Sequence, residues 1–423
     1  MDFSDSMKVI SDLHIHSPYA MACSPSISLE GIEKTCIEKG INLVGTGDFT
    51  HPKWLAEIKS KLDPAEPGLF KIKGSTSGVR FILSSEACTI FEGKDKKVRK
   101  IHNCMLMPDI DSVDSLNHVL SKHGDLSSDG RVILSMSAAH LVEEIFKVHK
   151  DAFVFPAHAW TPYFGVFGAI SGVDSMKEAY EDQEKHIYAL ESGLSSDPSM
   201  NWRISKLDKY AIISTSDMHS LPKIGREMTL LDVNSISYNS IINAIKDKDA
   251  KQLSGTLEFF PEEGKYHFDG HRQCNVSVDP DKEKLEKCPV CGRKLVIGVL
   301  HRINQLADRE PGYVPKNRPP FVKAVPLREV IAYVLNKPFA SPHVTKMYED
   351  IIKEFGVEYE LLTKTDTKLI SEKINPEIGE AIQNMRDGNI TIKPGYSGVF
   401  GEVDLLNRDK GKKLSYFERQ KRL

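Results

Sequence analysis

The chain has 423 residues, 40% hydrophobic and 27% charged, with a formal net charge of −3 at pH 7. This length predicts two or three domains, and the composition is that of a soluble globular protein. No run of about eighteen apolar residues occurs and the first residues lack a secretory pattern, so we expect a cytoplasmic protein without a membrane span. The charge balance also argues against a surface that is basic throughout.

Short apolar runs that predict strands alternate with segments of helical period in the first half of the chain. The runs are 8–13, 41–45, 79–84, 101–106, 152–156, 186–190 and 209–213. This alternation predicts a parallel sheet, either open or closed into a barrel. The run 132–134 is ambiguous, because it leads directly into a helix-like segment.

Histidine or acidic residues lie at or near the carboxyl end of nearly every predicted strand. They are His14 and His16, Asp48 and His51, Glu86, His158, Glu191, and Asp217 and His219, and the fourth run itself carries His102. In β/α barrels the loops at this end converge on the active site. An open sheet would gather such residues only around its crevice, so the pattern favours a barrel.

A single histidine is more often a packing or surface residue than a metal ligand. Burying six imidazoles together with carboxylates at strand ends would be costly, however, unless divalent cations compensate for the burial. Residues two apart on a strand point to the same side, as predicted for His14 and His16 and for Asp217 and His219. Imidazole and carboxylate ligands suit zinc, manganese or iron.

These motifs resemble the PHP (polymerase and histidinol phosphatase) superfamily, whose pattern is H-x-H, an acid–histidine segment, a glutamate, isolated histidines and a final D-x-H. The resemblance covers about residues 7–235 and implies a distorted seven-stranded β/α barrel. It implies two or three divalent ions in the active site, which we expect to be zinc, manganese or magnesium. The residues implied around the first ion are His14, His16, Glu86 and Asp217.

The resemblance also implies ligands for the further ions. Glu86 would bridge to a second ion, which His102 and His158 would also bind. His219 and a histidine of the second motif would hold a third ion. Here the sequence departs from the pattern, because Asp48 is followed by a histidine only at His51, so direct metal binding by Asp48 stays open.

Such ions activate a water molecule and clamp a phosphoryl group, which predicts a phosphoesterase. A carboxylate outside the ligand set could carry protons, and Asp197 is the candidate. Its alternative role is to cap a turn before Pro198. Arg226 is the candidate for holding a phosphate, with a surface ion pair as the alternative.

The sequence changes character after about residue 255. The pattern H-x2-C-x13-C-x2-C, formed by His271, Cys274, Cys288 and Cys291, offers four ligands and predicts a closed structural zinc site. His267 is the second candidate for the fourth ligand. We predict domains at 1–255 (metallo-phosphoesterase barrel), 256–325 (zinc-binding) and 326–405 (helical), followed by a charged tail at 406–423.

Barrel, zinc motif and helical end together resemble the endonuclease Q family over nearly the whole chain. The stretches 46–52, 306–309 and 311–313 add to this resemblance. It implies a DNA repair enzyme that nicks on the 5′ side of deaminated bases (uracil, hypoxanthine, xanthine) or abasic sites. The segment 265–323, with twelve Lys/Arg against seven Asp/Glu, would then contact the DNA backbone, although a solvated basic face is an equal alternative.

The motifs allow two alternative functions, and the last residues of the chain resemble part of a partner-binding motif. A histidinol-phosphatase-like enzyme would use the same ligands but would not need the zinc motif and the further residues. A non-catalytic DNA-binding module would be expected to lack some of the ligands. The end Gln420–Leu423 begins like a sliding-clamp-binding motif but has no aromatic pair, so clamp binding is not expected.

Overall fold

A computed structural model describes residues 6–247 and 250–408. The first strands are β1 Met7–Asp12, β2 Leu43–Gly45, β3 Leu62–Pro64, β4 Phe70–Ile72, β5 Arg80–Glu92, β6 Val98–Met107, β7 Val132–Leu134, β8 Phe153–Pro156, β9 Ala189–Glu191, β10 Ala211–Ile213, β11 Met228–Val233 and β12 Leu253–Glu258. The helices of this part are α1 Leu29–Lys39, α2 Pro52–Lys61, α3 Ile110–Leu120, α4 Ala138–Val148, α5 Met176–Tyr180, α6 Pro198–Asn201 and α7 Tyr238–Asp247.

The later part is richer in helices. Its strands are β13 Asp269–His271, β14 Val276–Val278, β15 Phe321–Lys323, β16 Thr391–Lys393 and β17 Glu402–Asp404. Its helices are α8 Val299–Leu306, α9 Leu327–Leu335, α10 Pro342–Phe355, α11 Glu358–Thr363, α12 Thr367–Lys373 and α13 Pro376–Arg386. No helix among the described residues has the length and apolar character needed to cross a membrane.

Capping residues in the sequence explain where several helices begin. Asp109 accepts a hydrogen bond from the backbone N–H of Ser112 at the start of α3, and Ser137 does the same for His140 at the start of α4. Asn375 caps α13 in the same way. These short polar side chains satisfy N–H groups that have no partner inside the helix.

The strands confirm a mixed α/β fold but not a purely parallel one. All seven predicted runs overlap a strand, and 132–134 is a strand as well. β1 pairs with β2 and β2 with β5 in parallel, whereas β1 pairs with β11, β5 with β6 and β6 with β8 in antiparallel fashion. The expectation of a parallel sheet is therefore corrected, because β5 and β6 form one long hairpin rather than two units joined by a helix.

The strand ladders among the described residues do not close into one cylinder. An eleven-stranded sheet contains β1 and β2, whereas β9 and β10 form a separate parallel pair. Only isolated bridges connect the large sheet with this pair among the described residues. One joins Val154 of β8 to Ile187, and the other joins Ile15 to Met218. The seven-stranded barrel therefore stays a prediction. A core cluster drawn from these strands and α7 includes Val9, Phe155 and Ile213.

The chain divides into two compact units. The first contains the described residues up to Ile37, then Ile41–Leu257 and Arg302–Val322. Within it, Arg302 donates to the carbonyls of Phe167 and Val173, which explains why the last segment belongs here rather than with the zinc motif. The predicted boundaries at 255 and 325 thus differ from the compact units.

The second unit contains Glu38–Gly40, Glu258–His301 and the described residues from Lys323 onward. Its helices bury apolar residues at helical spacing, as Val344, Tyr348 and Ile351 do on α10. From residue 409 onward, the predicted tail 406–423 lies outside the described residues. The clamp-like motif at its end lies outside them as well.

Candidate metal centre

A buried glutamate lies at the centre of the predicted site. Glu86 is on β5, and its Oε1 is 2.7 Å from His102 Nδ1 on β6 and 3.0 Å from His158 Nε2. Its Oε2 faces the other way, 3.4 Å from His16 Nε2 and 3.7 Å from His14 Nε2. One carboxylate therefore belongs to two groups of potential ligands.

Asp217 lies beside both His14 and His16. Its Oδ1 lies 3.0 Å from His16 Nε2 and 3.8 Å from His14 Nε2. His14 Nε2 is buried and has no hydrogen-bond partner among the described residues. A divalent cation is the group that would satisfy such a nitrogen among carboxylate oxygens.

Carboxylates behind the first two histidines fix the orientation of their rings. Glu191 Oε2 is 2.9 Å from His14 Nδ1, and Asp48 Oδ1 is 3.0 Å from His16 Nδ1. A hydrogen bond at Nδ1 holds the ring so that Nε2 faces the centre, which is the arrangement that orients metal-binding histidines. Asp48 Oδ2 also accepts from the backbone N–H of Ser17 at 2.6 Å, so both of its oxygens are engaged behind the ring.

These contacts produce opposite pKa shifts within the centre. Burial opposes a charged His16 ring, but Asp48 and Asp217 outweigh it and raise the pKa of His16 well above its ordinary value. The pKa of His14 is raised in the same direction, against burial, by its neighbours Cys104, Glu191 and Glu86. Burial dominates at His102 and lowers its pKa to about 4, which leaves a neutral ring.

The third predicted group is only partly brought together. His219 joins His16 and Asp217 in one group of potential ligands, and its Nδ1 lies 2.9 Å from the Asp217 carbonyl oxygen. His51 is not in any such group formed by the described residues. Its ring stacks on Tyr19 at a centroid distance of 4.4 Å, and burial lowers its pKa.

Three residues of the centre have an unusual backbone conformation. Asp48, His158 and Asp217 have φ values of 42°, 30° and 46°, in the left-handed region that favours glycine. Such conformations cost about 1–3 kcal/mol each and cluster at functional sites. Arg226 donates from Nε to the Ser216 carbonyl at 2.8 Å and from Nη2 to the Asp217 carbonyl at 3.2 Å, so it supports one of these turns.

The other predicted catalytic residue has a structural contact of its own. Asp197 is buried and caps α6, where its Oδ1 accepts from the Met200 N–H at 2.9 Å and from Ser199 Oγ at 2.6 Å. The alternative role given to Asp197, capping a turn before proline, is therefore present in the structure.

One further residue at the centre is not indicated by any pattern in the sequence. Arg131, at the edge of β7, lies 3.5 Å from Glu86 Oε2 with 22% of its side chain exposed. The preceding residue, Gly130, also lies close to the centre, because a Cβ there would be 2.4 Å from Asp48 Oδ2. Only the folded chain brings Arg131 next to Glu86, so strand patterns could not reveal it. Glu191 was visible as an acid at a strand end, without an indication of its role.

The second unit contains a separate group of four potential ligands. The ligand atoms of His271, Cys274, Cys288 and Cys291 lie within 4.8 Å of one another, with Cys291 Sγ 3.5 Å from His271 Nδ1. Burial raises the pKa of Cys288, but the backbone N–H groups of Cys291 and Val290 outweigh it and lower this pKa to about 7. His267 is buried but is not in this group.

The motif at 306–309 holds part of the first unit together rather than forming a site. Asp308 Oδ1 accepts from the Ser205 N–H at 2.8 Å, and Arg309 forms an ion pair with Asp208 and donates to the Trp202 carbonyl. The motif therefore fixes the segment that follows α6.

Known proteins match the chain in sequence and structure. A family model described as the MJ0043 C-terminal domain matches residues 326–389. Protein YqxK of Bacillus subtilis is 26% identical over 94% of this chain and 99% of its own length. Protein MJ0043 of Methanocaldococcus jannaschii is 31% identical over 58% of this chain, but the match spans only 31% of that protein's length.

Two solved structures match over nearly the whole chain. The lesion-specific endonuclease PfuEndoQ from Pyrococcus furiosus is 31% identical, with a TM-score of 0.83 and coverage of 99% of both chains. An endonuclease Q in complex with a 27-mer duplex substrate, with an abasic lesion at the active site, is also 31% identical. It has a TM-score of 0.84 and covers 96% of this chain and 99% of that chain. The chain belongs to the endonuclease Q family.

Proposed function

We propose that this protein is a metal-dependent DNA repair endonuclease that hydrolyses the phosphodiester on the 5′ side of a deaminated base or an abasic site. The observation that carries the proposal is the position of Glu86, whose two oxygens face two separate sets of histidines. The relative that was solved with an abasic duplex supports DNA as the substrate.

The residues present fit a set of divalent cations. His14, His16, Glu86 and Asp217 would hold one ion, and Glu86, His102 and His158 would hold a second. His219 is the candidate for a third with His16 and Asp217. Bound zinc, manganese or magnesium ions would lower the pKa of a water molecule and stabilise charge on the phosphoryl oxygens.

The remaining side chains position these ligands and bind charge. Glu191 and Asp48 hold the rings of His14 and His16, and Arg226 supports the turn that presents Asp217. The phosphate-binding role predicted for Arg226 fits Arg131 better, because its guanidinium lies beside Glu86. Asp197 is proposed as the proton carrier to or from the reacting oxygens.

The four-ligand group of the second unit would hold a structural zinc ion. His271 and the three cysteines leave no open position, which distinguishes a structural site from a catalytic one. The lowered pKa of Cys288 favours the thiolate that zinc requires.

The experiment is a nicking assay on end-labelled duplexes that carry one uracil, one hypoxanthine, one abasic site or only normal bases. We expect a cut immediately 5′ to each lesion, absent from normal DNA and abolished by a chelator and by His14→Ala. Release of phosphate from small phosphomonoesters without any cut in lesion DNA would instead assign the same centre to a small-molecule phosphatase.

A further inference from the structure

The loop 159–173, which follows His158, exposes three large apolar side chains. Tyr163, Phe164 and Ile170 are 41%, 38% and 50% exposed. Single exposed apolar residues are common on protein surfaces and need no explanation. Three within eight residues, in a loop that begins directly after a residue of the metal centre, point to a contact surface.

This loop lies against the metal centre. The ring of Phe164 stacks on His102 at a centroid distance of 4.5 Å and an interplanar angle of 25°. The carbonyl of Phe164 also accepts a hydrogen bond from the His102 N–H at 2.9 Å. Lys100, two residues before His102 on β6, has its Nζ 6.0 Å from the Phe164 ring centroid. An exposed ring and a cation therefore lie at the border of the centre.

Backbone contacts hold the loop in one shape. The N–H of Phe167 donates to the Ala159 carbonyl and that of Val173 to the Val166 carbonyl, both at 2.8 Å. Gly168 packs so closely that a Cβ would lie 2.4 Å from the Thr161 carbonyl oxygen. A surface fixed in this way loses little conformational entropy when it binds a ligand.

We propose that the loop 159–173 stacks the unpaired base of the damaged nucleotide beside the cleavage site. Phe164 and Tyr163 offer ring faces, Ile170 adds apolar contact, and Lys100 neutralises the adjacent phosphate. A nucleobase fits this chemistry, because it joins a flat apolar face to an anionic backbone. The proposal rests on the endonuclease function above and names the residues that recognise its substrate.

The test measures binding of DNA rather than cutting. Fluorescence anisotropy is recorded in the presence of Ca²⁺ on duplexes that carry either uracil or an abasic site. Tyr163→Ala and Phe164→Leu should each weaken binding to the uracil duplex about tenfold, near the low end of what one stacked base contributes. Binding to the abasic duplex should stay unchanged, because it has no base to stack. Lys100→Gln should lower the slope of log K against log salt by about 0.9 on both duplexes.

Ile37→Ala is the matched control, because Ile37 is also 50% exposed but lies on α1. It should leave both affinities unchanged. Equal losses on the two duplexes, or no loss for either ring variant, would overturn the proposal. The metal content of Phe164→Leu separates two roles of this ring, stacking on a base and support of His102. Loss of metal would show that Phe164 supports His102. If the wild type binds as expected but does not nick, the proposed function fails and the stacking surface stands.

Discussion

At the scale of single residues, the arrangement of the centre depends on groups that do not themselves face its interior. Glu191 lies behind His14 and Asp48 behind His16, at 2.9 and 3.0 Å. Loss of such a partner typically costs 10–100-fold in metal affinity, about 1.4–2.7 kcal/mol. The positions of the Nε2 atoms of His14 and His16 therefore depend on residues that contact these rings on the side away from the centre.

Glu191→Gln tests this dependence. The amide keeps the size and an acceptor for the Nδ1–H of His14 but removes the charge, so we expect metal affinity to fall about tenfold or more. Competition with a chromogenic chelator measures the affinity. Glu181→Gln, a change at an exposed glutamate, is the control. Equal affinities of the two variants would remove Glu191 from the centre.

Metal binding should also release protons. His14 and His16 have raised pKa values, so their rings are protonated near pH 7 in the metal-free protein, and a cation must displace those protons. His102, with a pKa of about 4, has none to release. Apparent metal affinity should therefore fall as pH falls. Calorimetric titration in buffers of different ionisation enthalpy, with the cysteine site already loaded, measures the release; enthalpies independent of buffer would contradict the expectation.

Asp197→Asn separates the two roles of this side chain. An asparagine oxygen can still accept from the Met200 N–H and preserve the cap of α6, but it cannot carry a proton. We expect an unchanged melting temperature and a 10²–10⁴-fold lower single-turnover rate, the range typical of general acid–base catalysis. An unchanged rate would restrict Asp197 to capping.

Several residues that gather at the candidate centre could be predicted, because polar residues that interrupt apolar runs are visible in the sequence. His14, Glu86 and Asp217 stand out in this way. Glu191 and Arg131 do not, because their roles come from neighbours distant in sequence. His51 also stands out by its position, but its ring stacks on Tyr19, and its role as a ligand stays a prediction.

At the scale of elements, the sequence predicts the presence of strands better than it predicts the positions of their ends. Glu86 is predicted at a strand end and His102 within a run, and both lie inside β5 and β6 because these strands continue into one long hairpin with ten paired positions. His14 and His16 lie beyond the end of β1, where only Ile15 makes a bridge. Polar residues near the hairpin tip interrupt the apolar pattern, so the apolar runs are shorter than the strands β5 and β6.

The hairpin β13–β14 and the Cys288–Cys291 turn form an element that should depend on its ion. Cys288→Ser removes one of four ligands, and a structural zinc contributes about 10–16 kcal/mol of apparent binding free energy in small domains. We expect loss of one zinc ion per chain and a lower melting temperature. Metal analysis and calorimetry measure both, with Cys23→Ser as the control outside the cluster. Unchanged zinc content would exclude the assignment.

At the scale of the whole molecule, the class of fold followed from the alternation of strands and helices, but its topology did not. The pairing of β1 with β11 joins residues more than 200 positions apart, and no local pattern indicates it. The compact units also depart from the linear domain order, since Arg302–Val322 returns to the first unit through contacts such as Arg309 with Asp208. Long-range pairing of this kind is decided by tertiary packing.

The shared carboxylate of Glu86 has a consequence for how the protein would exchange its cations. An ion held through Oε2 would fix the torsion angles of the same side chain that offers Oε1 to the other ion. Binding of the first ion would therefore order a ligand of the second, and we expect occupancy to be cooperative. Partial depletion would then leave a mixture of full and empty molecules rather than a population of half-filled ones.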